Sequence, residues 1–245
     1  MEKTKRSFTA FFTAKNVTYL AILTALIIVL QCLSGFFAVG ATRLSFVLVP
    51  IVLGGMLLGV GAGAFLGTVF GLVVIFDALG GLDPFTLILL QESPVFTVAL
   101  CLVKGAAAGA VSALVYKLIA KKNKYVAAFV ASAVAPVVNT GIFVLGGLMI
   151  GGILSANFIP DGQSVIYFLI VGCAGINFII EFAISLVLSP ALYTVNGVVE
   201  KQIVKKKKSN AGGETVSKEE PAKAEAQSEV LTDSAENADN GGKTE

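Results

Sequence analysis

The sequence predicts an all-α membrane protein, with six transmembrane helices in a compact bundle and both termini cytoplasmic. Three observations carry this reading. Of 245 residues, 56% are hydrophobic and only 14% charged, and the mean hydropathy of +0.85 lies well above that of a soluble domain. Between Val17 and Tyr116 the charged side chains are Arg43, Asp77, Asp83, Glu92 and Lys104, too few to form the outer surface of a soluble fold. Twenty-six glycines and no tryptophan suit membrane helices whose backbones approach closely through small residues.

Three segments follow. Residues 1–16 are a polar lead with Lys3, Lys5, Arg6 and Lys15. Residues 17–199 carry the membrane domain. Residues 200–245 turn abruptly polar after Lys205–Lys208, a composition that cannot bury enough surface to fold and is expected to be disordered. Near the end Gly242-Lys243-Thr244 imitates a phosphate-binding loop, but Asn237 stands where the motif needs glycine and no strand precedes it.

The first span is the uncharged stretch Val17–Val39, long enough to cross roughly 30 Å of hydrocarbon. It exceeds the apolar core of a signal peptide, and no cleavage site leads into a soluble chain. Leu44–Phe76 is apolar throughout and too long for one span. The glycines of Gly59–Gly63 predict two short helices, about 45–58 and 61–76, joined by a tight turn. From Asp77 to Glu92 three acids, Gly80-Gly81 and Asp83-Pro84 surround an apolar stretch, which reads as a loop or re-entrant cap. The fourth span runs from about Pro94 to Ala120 and ends in Lys117, Lys121, Lys122 and Lys124. The fifth runs from about Tyr125 to Ile153, and Pro160-Asp161-Gly162 marks a turn after it. The sixth lies within Ser164–Val199, a window longer than one span.

Basic clusters precede the first span, separate the fourth from the fifth, and follow the sixth. Six spans put all three on one face, the cytoplasmic one. Arg43 and the acids Asp77, Asp83, Glu92 and Asp161 fall on the other face.

Composition also excludes several functions. A formal net charge of +2, thinly spread, does not suggest nucleic acid. The absence of histidine removes a His-based triad, a zinc HExxH site and an imidazole relay. Cys32, Cys101 and Cys173 each sit in apolar runs at no metal or disulfide spacing. No cofactor or metal is expected, and no enzymatic nucleophile stands out.

Polar residues inside the spans are the candidate site. Lys104 lies ten residues into the fourth span, where an ammonium costs about 2.5–3.5 kcal/mol on insertion scales and must face the interior or a wet cavity. Asn139 and Thr140 sit mid-way along the fifth span after Pro136. Asn177 and Glu181 are four apart on one face of the sixth. These groups could converge on a ligand pocket, or Lys104 and Glu181 could form a structural ion pair. Glycines 59, 63, 67 and 71 recur every fourth residue, and Gly105 and Gly109 repeat the spacing, which predicts close internal packing. Ala21 and Ala25, also four apart, form a small-residue groove for another helix, in the same chain or a partner.

The ordered set Ala21-x-x-x-Ala25-Leu26, Arg43–Pro50 (RLSFVLVP), Gly63–Leu72, Lys104-Gly105, Pro136–Gly141 (PVVNTG) and Asn177-x-x-x-Glu181 resembles the substrate-binding S component of energy-coupling factor (ECF) vitamin transporters. The resemblance covers about residues 15–198 and is nearest to the pantothenate-like branch. It implies a six-helix subunit of a bacterial plasma membrane, embedded in lipid, that binds one vitamin or related micronutrient. Its implied partners are a transmembrane coupling subunit and two ATPase subunits. It also implies that Ala21 and Ala25 meet the coupling subunit. Lys104, Asn139, Thr140, Asn177 and Glu181 would line an outward pocket lidded by Arg43 and the 77–92 segment. The alternative is a self-sufficient secondary transporter or facilitator that uses Lys104 and Glu181 as a gated pair.

Overall fold

The structure, a computed structural model, describes residues 14–34, 38–39, 42–43, 46–160, 162–199 and 201. The basic lead up to residue 13, the tail from 202, and Asp161 lie outside the described residues, as does the Arg43 side chain. Residues 1–196 group into one compact unit; of the second, 197–245, positions 197–199 and 201 are described.

Helix α1 (Ala14–Ser34) buries Leu20, Leu23, Ile27, Gln31 and Ser34, the three-and-four spacing of one helix face. It stops at Ser34, short of the expected Val39. A two-residue hairpin follows, β1 (Ala38–Val39) against β2 (Thr42–Arg43), with Ala38 opposite Arg43. Helix α2 (Leu48–Leu58) is apolar and buried on most of its surface. Gly59, at φ +93°, makes the corner into α3 (Val60–Leu79). One residue turns the chain because glycine alone adopts that backbone without strain.

The expected loop over 77–92 is the main departure. Asp77 is the buried last turn of α3, and Pro84–Glu92 forms a helix, α4. The Asp83 carboxylate accepts from Thr86 N at 3.1 Å and from Thr86 Oγ1 at 2.6 Å. Asp before Pro is therefore an N-cap followed by N1 proline, a helix start instead of a turn.

Helix α5 (Pro94–Ile119) is tied to α4 by Thr97 Oγ1 donating to the Leu89 carbonyl at 2.9 Å. Asn123 caps α6 (Lys124–Met149) by accepting from Tyr125 N and Val126 N. The expected fifth span divides at Ile150, and α7 (Gly151–Asn157) continues it. Helix α8 (Val165–Val199) includes a π-helical stretch, Phe168–Gly175.

Among the described residues, α1, α3, α5, α6 and α8 are long and apolar enough to cross a membrane, and α2 is a shorter apolar helix. Its 11 residues rise about 16 Å, half of a hydrocarbon core. The protein is a compact helical membrane bundle, as expected, with five helices of spanning length.

The core of that bundle is the meeting of α3 with α5. A side chain at Gly67 would collide with the Gly105 carbonyl, and one at Gly63 with the Gly109 carbonyl. The four-residue repeat of Gly63, Gly67 and Gly71 thus packs backbone on backbone, whereas Gly59 belongs to the corner.

Candidate functional site

A cavity opens beside this seam, next to Lys104 of α5. It is walled by Lys104 of α5, Asn139, Thr140 and Phe143 of α6, and Asn177 and Glu181 of α8. Gln31 of α1, Phe70 of α3, and Asp83, Phe85 and Thr86 at the start of α4 complete it. About 80 Å³ is open to the centre of a water molecule, within some 690 Å³ of unfilled space that includes the mouth. The smaller figure holds a handful of waters.

Five of the predicted binding residues, Lys104, Asn139, Thr140, Asn177 and Glu181, are thereby brought together from three helices. The three helices contribute from positions at least 35 apart, 104 to 139 and 140 to 177, so only the tertiary fold joins them. Arg43 is placed on β2 without a described side chain. Ala21 and Ala25 are elsewhere, exposed on α1 beside exposed Ile22, Leu26 and Val29.

Lys104 Nζ stands over the Phe143 ring, 5.5 Å from its centroid. That is a cation–π contact. Glu181 is 4% exposed and has an interaction of its own. Asp83 spends its carboxylate on the α4 N-terminus.

Aromatic rings roof the cavity. Phe85 lies 6.1 Å from Phe143 and 4.8 Å from Phe158, and Phe158 stacks on Phe168 at 6.2 Å. Through Phe85 and Thr86, α4 covers the site. The start of the segment expected to be a lid lines the cavity through Asp83, Phe85 and Thr86, in the form of a capped helix.

Sequence reasoning missed Gln31. Its Nε2 donates to Asp77 Oδ2 at 2.9 Å, fastening α1 to the end of α3. The signal was available: an amide on the face that also carries Leu20, Leu23 and Ile27, inside an uncharged span. Phe70, Phe85 and Phe143 were missed because seventeen phenylalanines in apolar helices carry no distinguishing pattern.

A comparison with protein families identifies the family of the chain. The family model for the ECF transporter substrate-specific component matches residues 15–193. The chain belongs to the substrate-specific components of ECF transporters. No curated protein matches it significantly. As an ECF substrate-specific component it is a multi-pass membrane protein that serves transport, in a family of transport subunits and not of enzymes. The matched region takes in all eight helices up to residue 193, and with them every described wall of the cavity.

Proposed function

We propose that this protein is the ligand-binding subunit of an ATP-driven importer for a vitamin or related micronutrient. The observation that carries the reading is the cavity itself, in which Lys104, Asn139, Thr140, Asn177 and Glu181 meet beneath a roof of phenylalanines. A concave site in which polar groups converge beside apolar side chains is how small molecules are bound.

In this reading the cavity takes the ligand, and Arg43 joins the lid over it. The exposed groove at Ala21 and Ala25 docks on the coupling subunit, which two ATPase subunits drive. A small-residue groove on the exposed face of α1 supports this, since a partner helix can approach it closely. Six spans with cytoplasmic ends in a bacterial plasma membrane follow from the lysine clusters, with α2 counted as the short second span.

Two measurements test the proposal. Uptake of the ligand should require the ATPase module; uptake that survives its removal would overturn the reading. Ala25→Leu should abolish uptake while the purified protein keeps its ligand affinity. Lost binding would assign the groove to the protein's own packing.

A further inference from the structure

We propose that Gln31 is a ligand-binding residue, and that the ligand is a small carboxylate bearing at least two N–H or O–H donors. This rests on the transport reading above and narrows it.

The argument is an account of hydrogen-bonding capacity. Gln31 is 5% exposed, and its Nε2 is committed to Asp77 Oδ2. A carboxylate only accepts, so Asp77 fixes which end of the amide it holds. The other end, Oε1, is buried with no hydrogen-bond partner. Asn139, 7% exposed, also has a buried Oδ1 with no partner. Both residues line the cavity. Buried amide oxygens are almost always paired, because leaving one without a donor is costly. These two atoms, on different helices around one cavity, are completed by a ligand that brings a donor to each.

The third open group has the opposite sign. The Lys104 ammonium has three N–H donors, and it stands over the face of the Phe143 ring. At that depth an anion compensates it best. The two cavity carboxylates are otherwise engaged, Asp83 by Thr86 and Glu181 by its own partner. The complement of this cavity is an anion at Lys104, two donors towards Gln31 and Asn139, and an apolar body against Phe70, Phe85 and Phe143.

The test uses the full chain in detergent and calorimetry with five probes. Biotin and pantothenate each pair a carboxylate with two or more donors. Nicotinate has the carboxylate without the donors, riboflavin has donors without an anion, and thiamine is a cation. Biotin or pantothenate should bind tightest, with nicotinate at least tenfold weaker. Gln31→Met should cut the affinity of the tightest probe at least tenfold and leave the unliganded melting midpoint within a few degrees. Asp77→Asn should leave Gln31 free to reverse its amide, so the preference over nicotinate should shrink. That shift is one a purely structural strut would not produce.

Tightest binding of riboflavin, thiamine or nicotinate overturns the ligand class, as does binding of none of the five. The ATPase-dependent uptake assay then judges the transport reading separately. Unchanged affinity in Gln31→Met, or unchanged preference in Asp77→Asn, overturns the role of Gln31.

Discussion

Helix α5 meets α3 on one face and the cavity on another, and the two faces are packed in different ways. Against α3 the facing glycines meet backbone first. A Cβ on Gly67 would run into the Gly105 carbonyl, and one on Gly71 would stop 2.5 Å from the Cys101 oxygen. On the cavity side the glycines of α6 meet leucine ends. A Cβ on Gly146 meets Leu100, and one on Gly147 comes 2.6 Å from Leu169 Cδ2. Backbone carbonyls cannot give way, whereas leucine methyls can turn. The difference explains how a small cavity can hold a precise shape inside a membrane. Gly105 is locked against Gly67, and so its neighbour Lys104 is carried to a fixed place over Phe143. The seam is the rigid support; the far wall is where adjustment to a ligand can occur.

The largest effect expected from this comparison is at the seam. Gly67→Ala should destabilise the protein by about 3 kcal/mol, the upper range for overpacking. Gly67→Leu should leave no monodisperse protein in size-exclusion chromatography. A tolerated leucine there would mean that α3 and α5 are not in backbone contact. Next is the cavity wall. Lys104→Ala should weaken ligand binding tenfold or more, about 1.4 kcal/mol, with the melting midpoint held. Lys104→Arg should retain most of the affinity because it keeps the charge. Unchanged affinity in Lys104→Ala would leave the lysine outside the site.

The two regions were not equally legible in the sequence. The seam was visible, because a four-residue glycine repeat has one obvious use in a membrane helix. Its exception, Gly59, looks the same in sequence, and only its backbone angle shows that it turns a corner. The site was half legible. Charged and amide groups such as Lys104 and Glu181 stand out in apolar spans, since their burial has a cost that must be met. The phenylalanine roof does not stand out, and α4 was hidden because Asp-Pro can begin either a turn or a helix. Gln31 was overlooked because an uncharged amide in a first span passes easily for a packing residue.

The roof yields the next smaller effect. Thr86→Val removes the 2.6 Å hydroxyl bond to Asp83 but keeps the 3.1 Å bond from the backbone N–H. Part of a cap is lost, about 1 kcal/mol, and α4 should fray over the cavity. Ligand dissociation measured by rapid filtration should speed up about five-fold, while the melting midpoint moves little. An unchanged dissociation rate would mean that α4 is a fixed cover, and that entry runs past another wall.

The smallest effect is expected where the comparison began, at a glycine facing a side chain. Two terms oppose each other in Gly147→Ala. Alanine in a helix interior is favoured over glycine by about 1 kcal/mol. Against this, Leu169, fully buried in the cluster with Phe85, Leu89, Leu154 and Cys173, must turn aside. That is mild overpacking of a flexible chain end, about 1 kcal/mol at the low end of the range. The terms nearly cancel, so thermal stability should change by less than about 1 kcal/mol. Ligand affinity should also stay within about threefold, because Leu169 supports Cys173 on the cavity wall without lining the cavity itself. Measured side by side with Gly67→Ala, the pair makes the same chemical change in two settings. Equal damage from both would mean that the α6 side is as unyielding as the seam, and ligand fit would then have to come from the roof alone.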